Sequence, residues 1–455
     1  MQTKPLLLDG AKGESHRAWP SKHLRRRLAV FTLTLRAHRM AEPLVTPAAA
    51  QLVRPQTPTD QRRSSEILRG LLALLVVLMV AGGALRAECP LPDLHDRQWN
   101  LQNFGQDGGT VDADIDAPEA WCISGTSEVV VAVIDLGIDI NYVEEESGEL
   151  AGKLWENPED PSDDQDNDGN NKTDDTHGWN FFSENADLID RHGHGTRVAG
   201  VIAARTNNGG IDGICPTCKL MILKVGDSRD GPGKPTWNAI AQAIRYATEH
   251  AAQVINLSIS DYNSDNEVSA AIAEADRAGV VVIVSIGNDD IDAPSFPSIL
   301  PETISIGATD RTDKRWDPWS WDPHEGSNWG TSLDLVAPGV AIPTIDLEGR
   351  YTESTGTSAA APHVAAAAGL LLSKRPSLTA ADVRHILLSS ADPDIDPNTI
   401  FPPTNPALFI GEGRLNLYNA LSRIWFSDVD VHAWYNDYLA YAYQQGVIRG
   451  YFDGT

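Results

Sequence analysis

Ser358 stands in a setting that could make its hydroxyl a nucleophile. It lies in the stretch GTSAAAPH of residues 356–363, where a glycine turn leads into an alanine-rich segment. A serine on the first turn of a helix faces unpaired backbone N–H groups and the positive end of the helix dipole, which favour a developing alkoxide. An ordinary core helix that begins at a serine cap gives the same pattern, so this stretch alone leaves both interpretations open.

Three other side chains could complete the chemistry of an activated serine. Asp135 directly follows the apolar run 129–134, and His194 opens a stretch rich in glycine and alanine. The apolar run 280–284 leads shortly afterwards to Gly287 and Asn288. A histidine can act as general base to a serine, an aspartate can orient the imidazole, and an amide can bind an oxyanion. Separately, the aspartate could cap a turn, and the histidine could bind a metal ion. No zinc-like spacing supports the metal.

Short β-branched runs alternate with helical segments and would position these residues. This alternation predicts an α/β fold with a mostly parallel sheet covered by helices on both faces. Functional residues then belong at the carboxyl ends of the strands. The predicted strands are 129–134, 220–225, 254–258, 280–284 and 303–307, and the predicted helices lie near 196–205, 238–251, 267–278 and 379–390.

The order Asp, His, Asn, Ser and the flanking residues resemble the subtilisin-like serine proteases. The matching stretches read VIDLG at 133–137, HGTRVAG at 194–200, GN at 287–288 and GTSAAAPH at 356–363. The resemblance implies a three-layer subtilisin-like fold over residues 90–422. It also implies a secreted or cell-surface serine endopeptidase that works through an acyl-enzyme, with Asp135, His194, Ser358 and Asn288 as catalytic residues. The alternative, a non-catalytic envelope scaffold or adhesion protein, fits poorly with a complete residue set.

Peptide or protein substrates are implied by the same resemblance. The family's substrate-pairing strand usually reads Asn-Leu-Ser-Leu-Gly, and this chain has NLSIS at 256–260. Ser258, Ser260 and Gly287 are therefore expected to contact the substrate. Because Ser260 replaces a usual glycine, we expect it to change the primary specificity and leave the chemistry intact.

An acidic loop at residues 163–175 predicts a structural calcium site. Its oxygen side chains have the spacing of an EF-hand-type loop, with aspartate in place of the usual glutamate at the last position. The flanking helices of an EF-hand are missing, and a solvated acidic loop is the alternative. The expected ligands are Asp164, Asp166, Asp168, Asn170 and Asp175.

Charge divides the chain into a basic beginning and an acidic remainder. Residues 1–88 hold 14 Lys+Arg against 6 Asp+Glu, and the remaining residues hold 22 against 57. Such an acidic surface excludes nucleic acid as a partner. Residues 1–66 are basic and Pro-rich, which predicts a disordered leader, and the apolar segment 67–88 predicts a signal peptide or a membrane anchor. Either one predicts export.

Export favours disulfides between the four cysteines. The simplest pairing joins Cys89 to Cys122 and Cys215 to Cys218. The Cys-Pro-Thr-Cys sequence at 215–218 has the spacing of a redox motif. It precedes a predicted strand, however, and does not open a helix, so thiol chemistry is the weaker interpretation.

Residues 424–455 resemble the first half of an S-layer homology module. An aromatic helix over 434–445 and the Gly-Tyr-Phe-Asp-Gly ending carry the likeness. The resemblance implies binding to cell-wall polysaccharide and a place at the cell envelope. Half a module has too small a core to be stable alone, so we expect either a chain that continues or a tail that packs on the protease domain.

Overall fold

The computed structural model describes most of the chain after residue 91. The described residues are 92–93, 96–140, 148–228, 231–293, 295–317, 325–397, 405–426, 429–433 and 435–444. The predicted leader, the apolar segment 67–88, Cys89 and the last part of the S-layer-like tail lie outside them.

Seven strands form one sheet, and every neighbouring pair in it is parallel. The strand order is β2-β3-β1-β4-β5-β6-β7. A separate antiparallel pair contains β8 and β9. The bounds are β1 Val129–Asp135, β2 Gly178–Asn180, β3 Cys218–Lys224, β4 Val254–Leu257, β5 Val281–Ser285, β6 Thr303–Thr309, β7 Leu335–Pro338, β8 Ile342–Ile345 and β9 Tyr351–Ser354.

Helices cover both faces of this sheet. The helices among the described residues are α1 Ala117–Trp121, α2 His194–Ala203, α3 Trp237–Glu249, α4 Asn266–Arg277, α5 Thr357–Lys374, α6 Ala380–Ser389, α7 Ala407–Ile410, α8 Leu417–Ser422 and α9 Asn436–Gln444. Short 3-10 turns occupy Gln106–Gly108, Gly231–Gly233 and Leu347–Gly349.

Strand β1 shows how the sheet separates two apolar layers. Val131 and Val133 pack in the core that contains α2 and α5, whereas Ala132 and Ile134 pack in the core that contains α3 and α4. Successive side chains of a strand point to opposite faces, so a continuous apolar run is what a sheet buried on both faces requires. The predicted α/β class with helices on both faces is confirmed. All five predicted strands and all four predicted helices are present, with ends that differ by at most two residues.

Helix α5 runs through the middle of the molecule and is buried from Thr357 to Ser373. Its alanines let neighbouring elements approach closely. At Gly369 a Cβ would stand 2.5 Å from the Sγ of Cys218, so this contact requires glycine. Cys218 is bonded to Cys215, as predicted. Cys122 is also disulfide-bonded, but its predicted partner Cys89 lies outside the described residues.

The described part of the C-terminal tail packs against the body of the protein. Trp425 stacks on Tyr443 with ring centroids 4.4 Å apart, and the ammonium of Lys374 lies 4.4 Å from the Trp425 ring. The Arg375 guanidinium donates to the carbonyl of Phe426. Among the residues described, no helix is both long and apolar enough to cross a bilayer.

Candidate active site

Asp135 and His194 are brought together where β1 ends and α2 begins. The Nδ1 of His194 lies 2.7 Å and 3.0 Å from the two carboxylate oxygens of Asp135. Both side chains are buried. The close approach depends on Gly195, because a Cβ there would stand 2.1 Å from the carbonyl oxygen of Gly137. The carboxylate therefore holds the imidazole in one orientation and fixes a proton on Nδ1.

Asp190 holds the turn that presents His194, and sequence reasoning missed it. Its Oδ1 accepts the N–H of His192 at 2.8 Å and of Gly193 at 2.7 Å. Its Oδ2 accepts the N–H of Thr196 at 3.0 Å and the hydroxyl at 2.8 Å. A carboxylate that satisfies the free N–H groups at a helix start stabilises that start. The available signal was an acidic residue just before a glycine-rich helix start.

Ser358 and Asn288 converge on the space beside Gly356. A Cβ on Gly356 would stand 3.2 Å from the Oγ of Ser358 and 3.3 Å from the Nδ2 of Asn288. The φ of Gly356 is 143°, which side chains rarely adopt. Glycine therefore keeps this space free and lets the helix begin directly at the serine.

The amide of Asn288 is oriented by the residue before the serine. Its Oδ1 accepts the N–H of Thr357 at 2.9 Å and the hydroxyl at 2.7 Å. The NH₂ group borders the space at Gly356, where its Nδ2 would stand 3.3 Å from a Cβ. Ser358 is the second residue of α5, where a backbone N–H has no acceptor within the helix. An amide NH₂ and a free N–H next to one hydroxyl can together bind an oxyanion.

The residues expected to contact substrate lie at the same edge of the sheet. Ser258 follows β4, which pairs with β1 in a register that sets Leu257 beside Ile134. Its hydroxyl contacts the carbonyl oxygen of Ser358 at 3.1 Å. Ser260 is half-buried. At Gly287 a side chain would collide with Asn328, whose Nδ2 would be 2.3 Å from a Cβ.

The acidic loop brings two of its five expected ligands together with a histidine. Ligand atoms of Asp168, Asp175 and His250 lie within 4.8 Å of one another. The Nδ2 of Asn170 donates to both carboxylates at 2.8 Å. Sequence reasoning missed His250, because it lies beyond the end of α3 and far from the loop in sequence.

The other two expected ligands are Asp164 and Asp166. The carboxylate of Asp166 accepts the N–H groups of Gly169, Asn170 and Asn171 at 2.7, 3.1 and 2.9 Å. Asp164 is exposed. The structure therefore places neither of these carboxylates in the group of Asp168, Asp175 and His250.

The surroundings of the inner carboxylates are electrostatically negative. Burial raises the pKa of Asp175, and the neighbouring carboxylate of Asp168 raises it further. Tyr246 donates to the Oδ2 of Asp175 at 2.8 Å. Burial raises the pKa of Tyr246 as well, with the charges of the nearby carboxylates adding to it. A cation bound here would stabilise the charged forms of these buried carboxylates.

Comparison with known proteins gives two family matches. The subtilase family matches residues 126–414, and the S-layer homology domain matches residues 426–455. The chain is similar to the cell wall-associated protease of Bacillus subtilis (strain 168), at 33% identity over 71% of this chain and 35% of that protein. It is also similar to thermitase of Thermoactinomyces vulgaris, at 30% identity over 68% of this chain and 93% of thermitase.

A solved structure supports the fold. The prenylagaramide maturation protease PagA superposes with a TM-score of 0.51 at 24% sequence identity, covering 67% of this chain and 96% of that one. The matched part spans about a third of the length of the cell wall-associated protease but nearly all of thermitase. The chain therefore belongs to the subtilase family, whose members are serine endopeptidases, and it carries an S-layer homology domain at residues 426–455.

Proposed function

We propose that this chain hydrolyses peptide bonds with Ser358 as nucleophile, His194 as general base and Asp135 as the carboxylate that orients His194. The hydrogen bond between Asp135 and Nδ1 of His194 carries the proposal, because it keeps the proton on Nδ1 and leaves Nε2 free to accept one. Asn288 is the proposed oxyanion donor, since its Oδ1 is held by Thr357 and its Nδ2, like the Oγ of Ser358, borders the space at Gly356.

In the proposed reaction, Oγ of Ser358 attacks the substrate carbonyl while Nε2 of His194 takes the hydroxyl proton. The resulting oxyanion is bound by the Nδ2 of Asn288 and the N–H of Ser358. His194 then returns the proton to the leaving amine, and the acyl-enzyme forms. A water molecule, deprotonated by the same imidazole, releases the acyl group and restores Ser358.

Labelling with a fluorophosphonate probe tests the nucleophile. The wild-type chain should be labelled once, and the Ser358→Ala variant should not be labelled. Ser373→Ala is the matched control, because Ser373 is another buried serine of α5. Labelling of Ser358→Ala would reject Ser358 as the nucleophile.

Peptide substrates are proposed to pair with the backbone after β4, where Ser258 and Ser260 lie, with Gly287 after the neighbouring strand β5. The position of these residues at the carboxyl edge beside β1 supports this arrangement. Ser260→Gly restores the residue usual in the family. Profiling with a peptide library should then show a changed preference at the residue before the scissile bond, with an unchanged preference arguing against a role for Ser260.

The acidic loop is proposed to hold a structural calcium ion, with Asp168 and Asp175 as its inner ligands and Asp164, Asp166 and Asn170 as the remaining candidates. Carboxylate and amide oxygens are the donors that calcium prefers, and the ligand atoms of Asp168, Asp175 and His250 within 4.8 Å of one another support a cation there. His250 suits zinc better than calcium. Titration with Ca²⁺ and with Zn²⁺, with the melting temperature as the readout, decides which of the two ions the loop binds.

Attachment to the cell envelope is proposed to depend on the S-layer homology domain. The family match at residues 426–455 and the likeness to a cell wall-associated protease support a location at the wall, with cell-wall polymers as partners. We propose that the apolar segment 67–88 directs export. A sedimentation assay with purified cell walls should retain the full chain and release a chain that lacks residues 426–455. Equal retention of both would reject this role.

A further inference from the structure

The carbonyl of Ser358 is deprived of its usual helical partner. In an α-helix each C=O accepts the N–H of the residue four positions later. For Ser358 that residue is Pro362, which has no N–H. Both residues are buried within α5. A buried carbonyl without this partner needs another hydrogen-bond donor.

Ser258 supplies this donor from the sheet. Its hydroxyl lies 3.1 Å from the carbonyl oxygen of Ser358 and is itself buried. The Nδ2 of Asn256, which can only donate, lies 3.0 Å from the same hydroxyl oxygen. The hydroxyl therefore accepts from Asn256 and donates to Ser358, so the side chain of Ser258 is committed to the serine helix.

This bond joins the start of α5 to the strand next to Asp135. Ser258 directly follows β4, and β4 pairs with β1, which ends at Asp135. On its other side the same helical turn is held by Asn288, whose Oδ1 accepts the N–H of Thr357. Residues 357 and 358 are thus fixed from two strand ends, which restricts rotation of the backbone that carries the nucleophile.

We propose that Ser258 is a positioning residue for Ser358, which acts by holding its carbonyl where Pro362 provides no N–H. The inference rests on the proposed role of Ser358 as nucleophile. It assigns to Ser258 a function of its side chain, separate from the backbone contact with substrate. A better-held serine places its Oγ and its N–H correctly for attack and for binding the oxyanion, which raises kcat and leaves KM unaffected.

Ser258→Ala should lower kcat about fivefold to twentyfold, as expected for one lost hydrogen bond, with KM changed by less than about twofold. The rate of fluorophosphonate labelling should fall by the same factor. Ser258→Thr keeps the hydroxyl and should keep most of the rate. Ser305→Ala is the control, because it removes another buried serine hydroxyl of the same sheet. A lower melting temperature with unchanged kcat would show a purely structural role.

Pro362→Ala makes the test specific. Alanine restores an N–H four residues after Ser358, so the hydroxyl of Ser258 becomes redundant. In this background, Ser258→Ala should lower kcat by less than about twofold. An equal loss in both backgrounds would overturn the proposal. A wild-type chain that no fluorophosphonate labels would reject the proposed function and this inference with it, whereas a labelled chain that is insensitive to Ser258 would reject only the inference.

Discussion

The proposed catalytic residues each stand at the end or start of a buried element: Asp135, His194, Asn288 and Ser358. The acidic loop of residues 163–175, by contrast, holds its carboxylates mainly with its own backbone N–H groups. In the first region, hydrogen bonds join residues far apart in sequence, such as His194 to Asp135. In the second, Asp166 bonds three N–H groups within five residues.

This difference in hydrogen bonding indicates that one region determines activity and the other stability. The proposed catalytic residues are held by the packed core, so changes there should alter activity and leave the fold intact. The acidic loop concentrates negative charge and contacts the body through Tyr246. Changes in it should alter stability and its dependence on cations, with little direct effect on chemistry.

Among the changes predicted here, His194→Ala should have the largest effect on activity. Loss of the general base should lower kcat at least about a thousandfold, the magnitude known for triads of this family, without changing the melting temperature appreciably. Peptide hydrolysis and thermal unfolding are measured on the same preparation. His192→Ala, a change two residues away, is the control. Residual turnover above a thousandth of wild type would contradict the role of His194.

Asn288→Ala should lower kcat about a hundredfold to a thousandfold and leave KM nearly unchanged, because it removes one oxyanion donor. Steady-state kinetics on a peptide substrate measures both constants. Asn263→Ala changes an exposed asparagine elsewhere and serves as the control. Normal cleavage by Asn288→Ala would show that the oxyanion is bound by other groups.

Chelation of calcium should lower the melting temperature by several degrees, since a ligand that binds only the folded state stabilises it. Asp168→Ala with Asp175→Ala should abolish this response. Asp164→Ala and His250→Gln then distinguish the two possible ligand sets. The loop spacing predicts that Asp164 matters, and the spatial group predicts that His250 matters. An unchanged melting curve in chelator would show that the loop binds no stabilising calcium.

A smaller effect, on the pH dependence of stability, is expected from His363. Its Nδ1 contacts the carbonyl of Ala359 at 2.9 Å and its Nε2 contacts Asn100 at 2.9 Å, which fixes a neutral ring. Burial lowers the pKa of His363 to about 4. The His363 ring is protonated near pH 6.5 in the unfolded chain but only near pH 4 in the folded chain. Acidification between these values therefore favours unfolding.

Between pH 7.5 and 4.5 the wild-type chain should lose about 2 to 3 kcal/mol more stability than His363→Gln, which does not titrate. Chemical denaturation at the two pH values measures this difference. His385→Gln, a change of an exposed histidine, is the control. Equal acid losses in wild type and His363→Gln would show that His363 does not contribute to the pH dependence.

Local patterns in the sequence were enough to predict most of the sheet and the helices. Buried strands need apolar β-branched runs, and close approach at their ends needs glycine, so β1, α2 and α5 carry their own signals. The short strands β2, β7, β8 and β9 were missed because three or four residues show too little periodicity. The four proposed catalytic residues are recognisable for the same reason, since each adjoins such a run or turn.

Only the tertiary structure decided which side chains serve these residues. The bond from Ser258 to Ser358 and the approach of His250 to Asp168 depend on where strands and helices come to lie. The missing N–H of Pro362 is visible in the sequence, but its replacement is not. Hydrophobic periodicity is a local property of the chain, whereas the partner of a buried polar group is chosen by the order of the strands.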